Sequence, residues 1–157
     1  MPGPGNTWLG PLQTGTTLGN SSGQSDIGGV VLQQDVTLVH NGTNTVDGTI
    51  LLPGGAQILD IVCDTTTAWT SATSDTLSVG LTSGGTDYAS GIDVKAGAAR
   101  IRPTYTTTQL TNMLAIPTTS PQVVIHCTVT PVGSAAAGQT TVSIHYQQTV
   151  QLSLGSW

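Results

Sequence analysis

From Gln139 to Leu154 the chain reads QTTVSIHYQQTVQLSL. Val142, Ile144, Tyr146, Gln148, Val150 and Leu152 fall on one side of an extended backbone. Thr141, Ser143, His145, Gln147, Thr149 and Gln151 fall on the other. Strict period-two alternation marks a strand with one face in a core and one in water. A strand of this length needs neighbours, so the rest of the chain must supply a sheet and something to cover it.

The composition agrees. Only 7% of residues are charged, with three Lys+Arg against eight acids, all of them Asp. Glu, Lys and Arg are the usual fillers of exposed helix faces, whereas Thr, Val and Ile suit a pleated, half-buried surface. Shorter alternating runs recur upstream. VVLQQDVTLV puts Leu32, Gln34, Val36 and Leu38 on one face; TILLPGGAQ gives a short strand; QILDIVCDTT carries Leu59, Ile61 and Cys63 on one side. TLSVGL aligns Leu77, Val79 and Leu81, a short piece lies around YASGIDV, and PQVVIHCTVTP aligns Val123, Ile125, Cys127 and Val129. Asn41-Gly42, Asp47-Gly48 and Pro53-Gly54-Gly55 mark turns between them. Helical spacing is found in Thr106–Ile116, where Leu110, Met113 and Leu114 follow a threonine suited to capping.

About eight strands without a helical framework make an all-β protein, an antiparallel β-sandwich best described as a jelly roll. The expected core is Leu38, Leu59, Ile61, Cys63, Leu77, Val79, Ile125, Cys127, Val142, Ile144, Tyr146 and Val150. Residues 1–29 are rich in Gly, Pro, Ser and Thr and read as a flexible N-terminal arm, with residues 30–157 as the sandwich domain. Trp8 and Leu9 are the arm's candidate anchor, either on a partner surface or back on its own domain.

Charge excludes one class of function. A net charge of −5, with Lys95, Arg100 and Arg102 as the sole basic side chains besides histidine, is too little to neutralise a nucleic-acid backbone. No run is long enough for a membrane helix, and MPGPGNTWLGPLQTG lacks the basic and apolar regions of a signal peptide. The expectation is a protein made and used in a cytosol, where two cysteines stay reduced.

ILDIVCDTTTAWTSATSDTLSVGL, from Ile58 to Leu81, looks at first like a reactive cluster of Asp60, Cys63, Asp64 and Asp75. Alternation takes it apart. Cys63 shares a face with Leu59 and Ile61, while Asp60 and Asp64 share the opposite face with Val62, about 13 Å apart by strand rise. An adjacent carboxylate has the wrong sign to stabilise a thiolate. Asp64-Thr65 and Ser74-Asp75-Thr76 read as turn chemistry around a hairpin loop. A Cys63–Cys127 disulfide stays open at this level, since it depends on a distance that sequence does not give. Asp87 and Asp93 lack calcium-loop spacing, His40, His126 and His145 lack zinc spacing, and no nucleophile, phosphate or dinucleotide motif occurs. The chain is expected to be no enzyme, with no catalytic or metal residues and no cofactor.

The segment Ile58–Arg102 resembles small structural proteins of tailed bacteriophages that coat or cement the capsid. The resemblance is carried by ILDIVCDTTTAWTSATSDTLSVGL and TDYASGIDVKAGAARIRPTYT: a strand, a Thr-rich loop with Trp69, a second strand, then a DVK turn leading to arginines. It implies a non-catalytic sandwich subunit, usually a homotrimer, bound to the major capsid protein on the capsid exterior and made in the host cytoplasm. Terminal arms often reach neighbouring subunits in such families. Two other readings compete: a tail, neck or fibre component, and a carbohydrate-binding sandwich using Trp69, Tyr88 and Tyr105 as stacking platforms. Lys95, Arg100 and Arg102 concentrate the cations in KAGAARIR, either pairing locally with aspartates such as Asp93 or docking on an acidic subunit surface.

Overall fold

The computed structural model describes residues 30–42, 45–118 and 120–148. The expected arm, with Trp8 and Leu9, and the end of the final strand, with Val150 and Leu152, lie outside them. The chain divides into a unit spanning Val31–Thr149 and a second of Met1–Val30 with Val150–Trp157. The sandwich lies in the first.

Among the described residues, eight strands and one helix follow in order: β1 Val30–Val39, β2 Val46–Pro53, β3 Gln57–Thr67, β4 Ser74–Gly80, β5 Ala89–Asp93, β6 Ala99–Ile101, α1 Thr107–Leu114, β7 Gln122–Val132 and β8 Gln139–Gln148. They form two four-stranded sheets, ordered β1-β8-β3-β6 and β2-β7-β4-β5. The ribbon explains both orders. β4 pairs with β5, β3 with β6, β2 with β7 and β1 with β8, a nested antiparallel ribbon rolled so that its pairs alternate between sheets. Contacts β3·β8 and β4·β7 then close each sheet. This winding is the eight-stranded jelly roll.

The inner faces pack as alternation requires. Val142, Ile144 and Tyr146 of β8 are buried against Ile61 and Cys63 of β3, and Ile125, Cys127 and Val129 of β7 are buried with Leu77 and Val79 of β4. Gly48 holds an inward place of β2 because a Cβ there would lie 2.5 Å from the Leu38 side chain and 2.7 Å from that of Val36. Leu59 corrects the expected core: it is 41% exposed, and Ile58 is buried instead. The register between β3 and β8 shifts between Ile58 and Asp60, so one extra residue bulges out and passes the inward position to its neighbour. Asp64 and Thr65 also belong inside β3 rather than in a turn.

The helix is as expected but shorter. Thr106 caps it, accepting from the Gln109 backbone while the Gln109 side chain accepts from the Thr106 backbone. Met113 and Gln109 are its buried residues, and Leu110 and Leu114 face outward, 50% and 63% exposed.

Candidate functional site

The outer face of the first sheet is polar, and its side chains pair across the strands. Gln33 on β1 meets His145 on β8 at 2.9 Å, and Thr37 meets Thr141 at 2.9 Å. Hydrogen bonds from Ser143 and Gln33 hold the Asp35 carboxyl below its ordinary value. On β3, Asp64 receives a fork from Arg100 of β6, Nε to Oδ1 at 2.7 Å and Nη2 to Oδ2 at 3.0 Å. Asp60 lies 3.5 Å from Nε of Arg102. Antiparallel pairing of β3 with β6 sets Asp64 opposite Arg100, which is why carboxylates four apart each meet a different arginine.

These contacts decide the local part of the cation question. Arg100 on the edge strand β6 and Arg102 just after it are paired with Asp64 and Asp60 rather than with Asp93, with 71% of each side chain still exposed. Lys95 goes elsewhere, its Nζ donating to the Ser71 carbonyl at 2.6 Å. Asp93 accepts from the Lys95 backbone N–H instead. A short edge strand with an arginine on it and another just after it is also guarded against pairing with other chains.

On the outer face of the second sheet, Asp47 of β2 accepts from Nδ1 of His126 at 2.7 Å and from the Thr128 hydroxyl, both on β7. The Gly84 backbone N–H in turn donates to Thr128. Burial raises the Asp47 carboxyl, but hydrogen bonds from Thr128 and His126 outweigh it and leave it below its ordinary value. The hydroxyl bonds the carboxylate and not the imidazole, so the trio lacks the relay of a nucleophilic triad. Among the described residues, no three His, Cys, Asp or Glu side chains are grouped to hold a metal ion.

Asp35, Asp47 and Asp64 share a consequence. Their carboxyls sit lower in the folded protein than in the unfolded chain. The stability they contribute is present above the unfolded value and is lost as pH falls through the folded ones, below about pH 4. The melting temperature should therefore hold through neutral pH and fall below about pH 4. Asp64→Asn should shrink that acid-induced drop by a small share, because its ion pair is solvent-screened. A melting temperature that rises on acidification would refute this assignment.

Cys63 and Cys127 are free and fully buried, Cys63 on β3 and Cys127 on β7, in opposite sheets. Burial pushes both thiols up to about 12; Asp64 and Asp60 push Cys63 the same way, and Cys63 and Asp47 push Cys127. Both thiols are free, and both side chains belong to the core.

Two of the three aromatic residues read as sugar platforms are also internal. Trp69 and Tyr88 are each 1% exposed. Tyr105 is half-buried, its hydroxyl accepting from the Ile61 backbone N–H at 3.1 Å.

Two depressions flank α1. The polar one, about 300 Å³, is lined by Thr86, Asp87, Ser90, Thr106, Gln109 and Asn112, among others. Its amides are already engaged: Gln109 donates to Thr86 O and Ser90 Oγ, and Asn112 to Asp87 O. It fastens the helix to the β4–β5 loop. The other, about 330 Å³, is lined by Gln57, Ile58, Leu59, Leu110, Met113 and Leu114 with two threonines, and has no charged side chain. Leu59, Leu110 and Leu114 are all exposed there, and the β3 bulge is what turns Leu59 outward. Sequence reasoning missed this patch by assigning all three leucines inward or to an ordinary helix face; the outward i, i+4 leucines were its available signal.

No family model matches the sequence, and no curated protein does. The fold is similar to a chain of the cyanophage Pam1 capsid asymmetric unit, with TM-score 0.57 and 22% sequence identity over 94% of this chain and 99% of that one. The two chains are thus of nearly equal length and share the sandwich almost end to end.

Proposed function

We propose that this chain is a non-enzymatic structural protein of a bacteriophage virion that binds and stabilises the outer surface of the capsid. The observation that carries the reading is the nearly end-to-end fold likeness to a small chain of a cyanophage capsid asymmetric unit. The surface supports it. Its polar clusters are internally paired, without an acid, base and nucleophile in one place. The uncharged leucine depression beside α1 offers an attachment face, and Arg100 and Arg102, on and just after β6, a charged rim. Burial of Trp69 and Tyr88 disfavours the carbohydrate-binding alternative. A homotrimer bound to the major capsid protein belongs to the same proposal, with Trp8, Leu9 and Lys95 as further candidate contacts.

The test is to mix purified protein with capsids lacking it and measure occupancy by sedimentation and electron microscopy. Saturable decoration of the outer surface is expected; finding the chain only in tails or fibres would move it to another part of the virion. Leu110→Asp with Leu114→Asp should fold normally yet bind at least about tenfold more weakly, since each buried leucine is worth about 1.5–3 kcal/mol. Arg100→Gln with Arg102→Gln should fold and bind with a smaller loss that fades at high salt, as rim charges do. Full decoration by the leucine variant would remove the depression from the interface. Light scattering should give three chains per particle, and a monomer both free and on capsids would refute the trimer.

A further inference from the structure

We propose that Asn41 is a site of spontaneous deamidation, converting to aspartate and isoaspartate in the folded protein. Asn41 and Gly42 lie exposed in the connection that carries the chain from β1 to β2 and so from one sheet to the other. Gly42 has φ 82°, and nothing lies within 4 Å of where a Cβ would stand. The step needs only water. The Gly42 backbone nitrogen gives its proton to solvent and attacks the Asn41 side-chain carbonyl carbon, forming a C–N bond and a five-membered succinimide. The Asn41 amide nitrogen leaves as ammonia. Water then opens the ring at one of its two carbonyls, giving aspartate or, through the side chain, isoaspartate. A glycine at the second position leaves the attacking nitrogen unshielded.

Two of the described residues of similar type sit in regular structure instead. Asn112 lies in α1, where the helix fixes its backbone. Asp47-Gly48 is the matching aspartyl pair, but it is laddered into β2 opposite Thr128 and Cys127. Leu38 and Val36 crowd Gly48. Conversion at Asn41 takes the net charge from −5 to −6, one residue from His40, whose ring meets Trp69 edge-on at 6.3 Å.

The experiment holds the purified full-length protein, folded, at mildly alkaline pH for days and follows each peptide by mass spectrometry. Isoaspartate is counted by enzymatic methyl labelling. Asn41 should convert roughly ten times faster than Asn112, because regular structure protects the latter. Isoelectric focusing should show an acidic species that is diminished in Asn41→Gln. Two results would overturn the proposal: Asn41 intact in the folded protein while the same peptide converts once denatured, or equal conversion of Asn112.

Discussion

Replacing Trp69 with alanine is expected to lower the unfolding free energy by about 3–5 kcal/mol, the range for deleting a fully buried aromatic side chain. Trp69 follows β3 and closes one end of the sandwich. Its indole N–H donates to the Thr140 hydroxyl at 2.9 Å, which also bonds the Thr65 hydroxyl at 3.0 Å. Its backbone N–H donates to Val94 O, and its ring covers Gly138, where a Cβ would stand 2.2 Å from the indole. Three separate stretches of chain therefore converge on this residue. A domain of this size is stable by about 5–15 kcal/mol, so at the lower end the loss is more than half of the total. Urea unfolding followed by circular dichroism would measure it; a change below about 1 kcal/mol would show that the ring is not the plug described. Gly138→Ala attacks the same contact from the other side. In the double variant the two costs should fall short of their sum, because the alanine methyl then has room.

How far such a site can be read in advance depends on the range of the contacts that make it. Period two placed Ile61, Cys63, Val142, Ile144 and Tyr146 in the core, and the structure buries all five. Alternation is local and survives whichever strands pair. It failed at Leu59, where a bulge costs the pattern one residue and nothing in QILDIV announces it. Thr-x-x-Gln at the start of α1 is likewise local, and its capping box formed.

Long-range partners were not legible. A tryptophan in a Thr-rich loop looks exposed until Thr140, 71 residues on, is known to receive its N–H. The flanking run AAAG from Ala135 to Gly138, too small to compete for that space, was the available hint. The arginines' partners needed the β3·β6 pairing, which only the roll of the ribbon supplies. The leucine patch needed both the bulge and the helix packed beside it.

The other large expected effect concerns the cysteines, where a reactive centre first suggested itself. In the native protein both thiols should react with a thiol-specific disulfide reagent at least about a thousandfold more slowly than an exposed cysteine. The thiolate is the nucleophile, and an exposed thiol near 8.5 is about a quarter ionised at pH 8. Cys63 and Cys127, pushed up to about 12 by burial, are ionised to roughly one part in ten thousand there. The sign follows from position: each thiol has apolar neighbours and nearby aspartates, and no cation is among the causes acting on it. Access adds to this, because both side chains are fully buried and the reagent must wait for the sheets to part. In urea above the unfolding midpoint both thiols should react at the ordinary rate and in equal amount, two per chain. Between these limits the native rate should rise with urea along the same slope as the unfolding equilibrium, since opening supplies the reactive species. Rapid native labelling of either cysteine would contradict its burial. Only one thiol per chain, or none, after unfolding without reductant would mean that the cysteines had been oxidised, against their free state in the structure.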